Sequence, residues 1–306
     1  MEIHYINRQT GEVEKEEIYG KVFIELLYGN GPLSWLAPIL LLPLFCRVHF
    51  FSKLYGWYQK SRMSRRKVVP FIKKFQVDES EFLEPAASFQ SFNDFFIRKL
   101  KPSARPITNG NDTAVLPADG RYLVYPAIER SEGFLVKGQK FSMEKLLGNK
   151  VLAHKYSQGS MVLARLCPTD YHRFHFPCNC VPSKAEYIEG LLYSVNLLAL
   201  RRRIQTLAEN RRMITSLHTK NFGTILFIEV GATHVGSIHQ TYVPDQPCAK
   251  GDEKGYFEFG GSCIIMLFEP FRIQFDQDLI DASHRGLEMR GLMGQSLGRQ
   301  IGHSSM

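Results

Sequence analysis

The chain has no run of 20 apolar residues, no disulfide-dense cysteine pattern, no internal repeat and no low-complexity tract. A membrane-crossing helix needs about 20 consecutive apolar residues. The run Trp35 to Cys46 has twelve without a charge, and Pro38 and Pro43 interrupt it. Six cysteines (Cys46, Cys167, Cys178, Cys180, Cys248 and Cys263) in 306 residues do not make a disulfide scaffold. Met1-Glu2-Ile3-His4 lacks the basic start and apolar run of a signal peptide. Glu12, Glu14, Glu16 and Glu17 argue against a mitochondrial transit peptide, which is poor in acids. These absences together lead us to expect a reducing cytoplasm.

Acid is also missing from one long segment. Between Leu26 and Val77 stand nine cations, Arg47, Lys53, Lys60, Arg62, Arg65, Arg66, Lys67, Lys73 and Lys74, with no Asp or Glu. Without those nine, 29 Lys and Arg face 30 acids, so this segment carries the whole positive excess. Phe50, Phe51, Tyr55, Trp57 and Tyr58 are interleaved with the cations. Trp and Tyr suit the lipid headgroup level, and each cation near an anionic leaflet contributes about 1 kcal/mol. Trp35 to Cys46 reads either as a buried core helix or as a segment lying in a membrane interface, and the basic block after it favours the second. Nucleic acid is the rival partner. A membrane surface fits better, because the block adjoins an apolar run and has no nucleic-acid-binding motif.

Hydrophobic patterning gives a helical start and a strand-rich remainder. Glu16 to Tyr28 reads as a helix stopped by Gly29-Asn30-Gly31-Pro32, after a turn at Gly11. Ser91 opens a second helix through Leu100, with Asp94 at capping-box spacing and Phe92, Phe95, Phe96 and Leu100 on its apolar face. After Pro106 strands and turns dominate. Met161 to Leu166 and Thr224 to Val230 are the clearest strands, and a short helix follows Ser142. The fold expected is α+β: residues 1–105 a helical, membrane-facing front, residues 106–306 a β-rich catalytic body, sandwich- or barrel-like.

Four places carry candidate chemistry. Lys254 to Phe259 reads as a strand, Gly260-Gly261-Ser262 breaks it, and Ile264 to Phe268 is an apolar run of buried-strand length. Paired glycines there mark a bulge or a close approach to the backbone. Asp119, in Pro-Ala-Asp-Gly, is on its own a turn residue. His172 and His175 lie between Pro168 and Pro177, which disfavours a long helix. In extended chain, positions three apart face opposite sides, so the two have different tasks. With Cys178 and Cys180 they also make four metal-ligand types within nine residues. The spacing does not match a zinc module, and no metal is expected.

Phe259-Gly260-Gly261-Ser262, Pro117 to Gly120, Pro168 to Pro177, Leu192 to Asn196 and Val230 to Ser237 occur in this order. Together they resemble the pyruvoyl-dependent phosphatidylserine decarboxylase family over most of the chain. The resemblance implies that the Gly261–Ser262 bond cuts itself. Ser262 attacks the preceding carbonyl, the resulting ester eliminates, and the small chain from 262 to 306 begins with a pyruvoyl group, the only cofactor. The two cleaved chains stay together as a heterodimer, and further assembly into a higher oligomer is left open. The pyruvoyl carbonyl forms a Schiff base with the amine of phosphatidylserine, which loses carbon dioxide to give phosphatidylethanolamine. By the same resemblance Asp119 and His175 activate Ser262, and His172 serves substrate handling and decarboxylation. The implied place is the cytoplasmic face of a bacterial inner membrane, with an anionic bilayer as partner and no nucleic acid. Two departures stand out: Cys263 follows the serine where Ser or Thr is usual, and Arg211 stands where Glu is frequent. Two rival readings remain. One is a membrane-associated serine hydrolase using Asp119, His175 and Ser262 without self-cleavage, though it lacks the Gly-x-Ser-x-Gly elbow. The other is a non-enzymatic lipid- or nucleic-acid-binding protein.

Overall fold

The computed structural model describes residues 2–17, 56–129, 142–232 and 238–302. Trp35 to Cys46, Arg47, Lys53, most of Glu16 to Tyr28 and Thr233 to Ser237 lie outside these residues. In chain order the described strands are β1 (His4–Asn7), β2 (Val13–Lys15), β3 (Thr113–Val115), β4 (Gly120–Tyr125), β5 (Ser160–Leu166), β6 (Arg173–His175), β7 (Val181–Pro182), β8 (Glu186–Ile188), β9 (Arg212–His218), β10 (Thr224–Gly231), β11 (Ile238–Gln240), β12 (Glu253–Phe257), β13 (Ser262–Phe268), β14 (Ile273–Phe275), β15 (Glu288–Gly291) and β16 (Ser296–Gln300).

Ten of them form one sheet in the order β2-β1-β15-β4-β5-β13-β10-β9-β7, with β8 also on β9. The fold is α+β with a β-rich body, as expected. Strand β13 lies at its centre, antiparallel to β5 on one side and β10 on the other. Ile264, Met266 and Phe268 enter one buried cluster, whereas Cys263, Ile265 and Leu267 enter another. Both faces of the strand are thus covered, which explains an uninterrupted apolar run where a half-exposed strand would alternate. Two smaller sheets, β11-β12-β6 and β14-β16-β3, complete the body. Chain leaving β12 therefore changes sheet before entering β13. The crossing passes through Gly260, whose φ of +148° is a conformation that side chains other than glycine's rarely adopt.

The front is not helical throughout. Residues 4–15 form a hairpin about Gly11 (φ +73°), and β1 pairs in parallel with β15. Alternation over three- and four-residue strands is too brief to read from sequence. Among the described residues of the front, helices are found from residue 56 on. Helix Phe92–Phe96 is capped by Ser91, whose Oγ accepts from Asp94 N at 3.0 Å. It ends four residues early because Leu100 pairs with Phe82 in an isolated bridge. Val68, Phe71, Phe82, Phe89, Phe92, Phe95 and Phe96 form a third core with Phe259. The helical part of the front thereby rests on the residues just before Ser262. The body also holds helices Lys150–Tyr156, Leu197–Arg202, Thr206–Glu209 and Gln277–His284, which four to eight residues do not reveal by periodicity. Among the described residues no helix is long and apolar enough to cross a membrane.

Candidate active site

Ser262 opens β13 between Leu166 of β5 and Gly231 of β10. It is fully buried, and its Oγ has no hydrogen-bond partner. A buried hydroxyl left unpaired costs about 1–3 kcal/mol, so its retention needs a reason. The preceding residues are held firmly. Phe259 N donates to Asn93 Oδ1 at 2.9 Å, and the Phe259 ring meets Phe92 and Phe96 edge-on at 5.1 and 5.0 Å. A Cβ added at Gly261 would meet Val195 Cγ2 at 3.5 Å and Ala232 Cβ at 3.6 Å, ordinary contacts. Crowding in the intact chain therefore does not demand glycine at 261. The same contacts show that Leu192 to Asn196 and Val230 to Ala232 converge on the Gly261–Ser262 bond. Asn210, fully buried, ties them together: its Nδ2 donates to Tyr193 O and Gly231 O, both at 2.8 Å.

His172 immediately precedes β6 and His175 ends it. Arg173 and His175 face one side, Phe174 and His172 the other. Phe174 and Ile264 belong to one buried cluster, and Ser262 shares a strand face with Ile264. The Nδ1 of His172 lies 2.9 Å from Asp170 O, and since a carbonyl only accepts, Nδ1 carries the proton. Its Nε2 is a bare lone pair with no partner. Burial pushes the group from 6.5 down to about 4, with the Arg98 cation assisting and Asp170 opposing. The Phe96 ring covers it at 3.8 Å.

His175 is placed otherwise. Its Nδ1 donates to Gly251 O at 2.9 Å, and Tyr171 Oη, 3.3 Å from Nε2, donates to the remaining lone pair. Burial lowers its proton affinity, against the nearby Glu253 and Asp119 carboxylates. Asp119 accepts from Arg105 at 2.6–3.1 Å and from Met293 N at 2.9 Å. Asp119 thus reaches His175 through its field, and in the intact chain no hydrogen bond joins Asp119, His175 and Ser262 in series.

Several site-forming residues escape sequence reading. Arg105 and Asn210 act through partners 14 to 24 positions away, whereas Tyr171, next to His172 and four residues before its partner His175, gives a local hint. Lys254 is fully buried and ion-paired with Glu229, among Phe174, Phe227 and Tyr242. Burial raises Glu229 and lowers Lys254. Nothing local marks a lysine in a strand as buried. Cys263 faces away from Ser262, in the opposite cluster, and burial pushes its thiol up. Arg211 pairs with Glu189 at 2.8 Å near the surface, away from the histidines. Burial also pushes Cys178 up to about 12. Among the described residues no three His, Cys, Asp or Glu side chains are grouped to hold a metal ion.

Comparison with known proteins first gives the class. A family model described as phosphatidylserine decarboxylase matches residues 92–299. Curated relatives narrow it further. A phosphatidylserine decarboxylase proenzyme of Chlamydia muridarum is 48% identical over 304 residues, covering 98% of each chain. The proenzyme of Chlamydia pneumoniae is 48% identical over 296 residues, 96% of each chain, and that of Chlamydia felis 45% identical over 300 residues, 98% of this chain and 99% of the relative. The chain belongs to the phosphatidylserine decarboxylase family.

Proposed function

We propose that this chain is a proenzyme that matures at Gly261–Ser262 and converts phosphatidylserine to phosphatidylethanolamine and carbon dioxide. The observation that carries the reading is the buried, partnerless Oγ of Ser262, set where three of the quoted motifs converge. Such a hydroxyl fits a precursor of the pyruvoyl group better than a permanent structural residue. Its Oγ attacks the Gly261 carbonyl carbon, the C–N bond breaks, and an ester joins Gly261 to Ser262. Loss of the Cα proton expels the Gly261 carboxylate, and water releases ammonia from the unsaturated remnant. His175, with Asp119 nearby, takes the serine proton in this reading, once Tyr171 releases its Nε2. When formed, the pyruvoyl group supplies a carbonyl that reacts with the substrate amine and takes up the electron pair left by carbon dioxide. His172, neutral and with a bare Nε2, holds or returns a proton at the reacting carbon. Phe96, Phe174 and Phe176 exclude water, which favours loss of a charged carboxylate.

A chain cut at 261 would remain one body. The small chain's β13 lies between β5 and β10, β15 between β1 and β4, and β16 on β3. These contacts support the cleaved heterodimer. Arg62, Arg65, Arg66, Lys67, Lys73 and Lys74, together with exposed Trp57, Met63 and Val69, support a front that binds an anionic bilayer at the cytoplasmic face of a bacterial inner membrane.

The test is conversion of carboxyl-labelled phosphatidylserine in vesicles. Labelled carbon dioxide and phosphatidylethanolamine are expected, whereas a serine hydrolase would release fatty acid or headgroup. Co-sedimentation with the same vesicles should weaken with salt, because exposed charges are screened within about 10 Å at 0.1 M. Neutralising Arg62, Arg65, Arg66 and Lys67 should flatten that dependence. Equal binding to neutral vesicles would return nucleic acid as the partner of the basic block.

A further inference from the structure

Behind β13 lies a buried cluster of charges that the chemistry above does not use. Arg121 of β4 and Arg165 of β5 stand opposite each other in register, and both are buried. Arg165 forks between two acids. It donates to Glu288 at 2.9 and 2.7 Å, and to Glu16 at 3.2 and 2.5 Å. Arg121 Nη1 donates to both Asp170 oxygens at 2.9 and 2.6 Å. Its Nε lies 3.3 Å from Glu16 Oε2, a charge contact without hydrogen-bond geometry. The Tyr5 ring packs against the same guanidinium, 4.8 Å from its centroid. Asp170 accepts from Cys167 N at 2.7 Å, and its main-chain carbonyl holds Nδ1 of His172. Glu16 itself follows the N-terminal hairpin, its N–H donating to Ile3 O at 2.9 Å.

Glu16 and Asp170 remain ionised: burial pushes each carboxyl up, but the Arg165 and Arg121 cations outweigh it at Glu16, and Arg121 at Asp170. Two buried guanidiniums need this negative charge, because an uncompensated buried ion is strongly destabilising. Remove Glu16, and Arg165 keeps Glu288 while Arg121 is left with Asp170 alone, so the pull of Arg121 on Asp170 changes. The carbonyl of that same residue sets the tautomer and direction of His172. We infer that Glu16 is a positioning residue for decarboxylation, acting from the N-terminal hairpin through Arg121 and Asp170 on His172. The inference rests on the proton-handling role of His172.

The test uses full-length Glu16→Gln and Glu16→Asp beside wild type, on phosphatidylserine in mixed detergent micelles, so that bilayer binding does not enter. Both variants should cleave. Glu16→Gln should lose kcat on the order of tenfold, as expected for a misplaced catalytic group, with KM close to wild type, and Glu16→Asp should recover most of it. A cleaved Glu16→Gln with wild-type kcat overturns the inference, whatever its thermal midpoint. Should Glu16→Gln fail to fold, Arg121→Met cuts the link to Asp170 while leaving Arg165 between Glu16 and Glu288. It should show the same kcat loss, and a wild-type kcat overturns the inference equally. His172→Ala run in parallel separates the two failures: if it keeps full activity, the reading of His172 is wrong, and if it is inactive while Glu16→Gln is unchanged, only the Glu16 link is.

Discussion

Ser262→Ala should remain a single full-length chain without decarboxylase activity, while the wild type separates into residues 1–261 and the 45 residues from 262 to 306. The small wild-type chain should be blocked to Edman degradation by its pyruvoyl group. Loss of activity should be complete, because no other residue can supply that group. The variant should nonetheless fold well. Ala keeps the Cβ and deletes only a hydroxyl that has no partner in the interior. Relieving that unsatisfied group is worth about 1 kcal/mol or more, so the uncut variant should fold and melt in one cooperative transition. A denaturing gel, intact mass and thermal denaturation measure all three. An active wild type that runs as one intact chain would sink the maturation reading.

His175→Ala should stall before cleavage, whereas His172→Ala should cleave at least in part yet decarboxylate poorly. General acid–base groups contribute on the order of 10²–10⁴-fold, so activity per cleaved His172→Ala molecule should fall at least 10²-fold. Asp119→Ala should also stay uncut. That substitution strips Arg105 of a buried partner, so Asp119→Asn, which keeps the volume, is the cleaner companion. If both histidine variants remain uncleaved, the division of labour is wrong. His172 can also be followed by pH in the uncut Ser262→Ala protein. Its folded-state proton affinity, about 4, lies below the ordinary 6.5. Stability is therefore full above 6.5 and declines as pH falls from 6.5 toward 4, where the unfolded chain binds a proton that the folded chain refuses. His172→Ala in that background should show a shallower decline over this window.

The sequence by itself determined the strands at the centre of the sheet and the class of chemistry. Ile264 to Phe268, and Met161 to Leu166 and Thr224 to Val230 apart from Arg165, Thr224 and Glu229, are apolar because both sheet faces are buried, and that requirement is written locally. Ser91 and Ser142 likewise announced their helices, since a capping hydroxyl bonds within three residues. Gly260, too, was visible as a break, as its φ demands. Only the tertiary structure decided where the charges pair. Asp119 reads as a turn residue, but its carboxylate is gripped by Arg105 and Met293 N. Glu16 looks like one acid among several in a polar start, yet it is buried against Arg165, 149 positions away. The same holds for Lys254 with Glu229 and for Asn210 beneath Gly231. A strand or capped helix is specified by neighbours in sequence. A buried ion pair depends on which strands lie side by side and in what register, so it becomes visible only once the chain has folded.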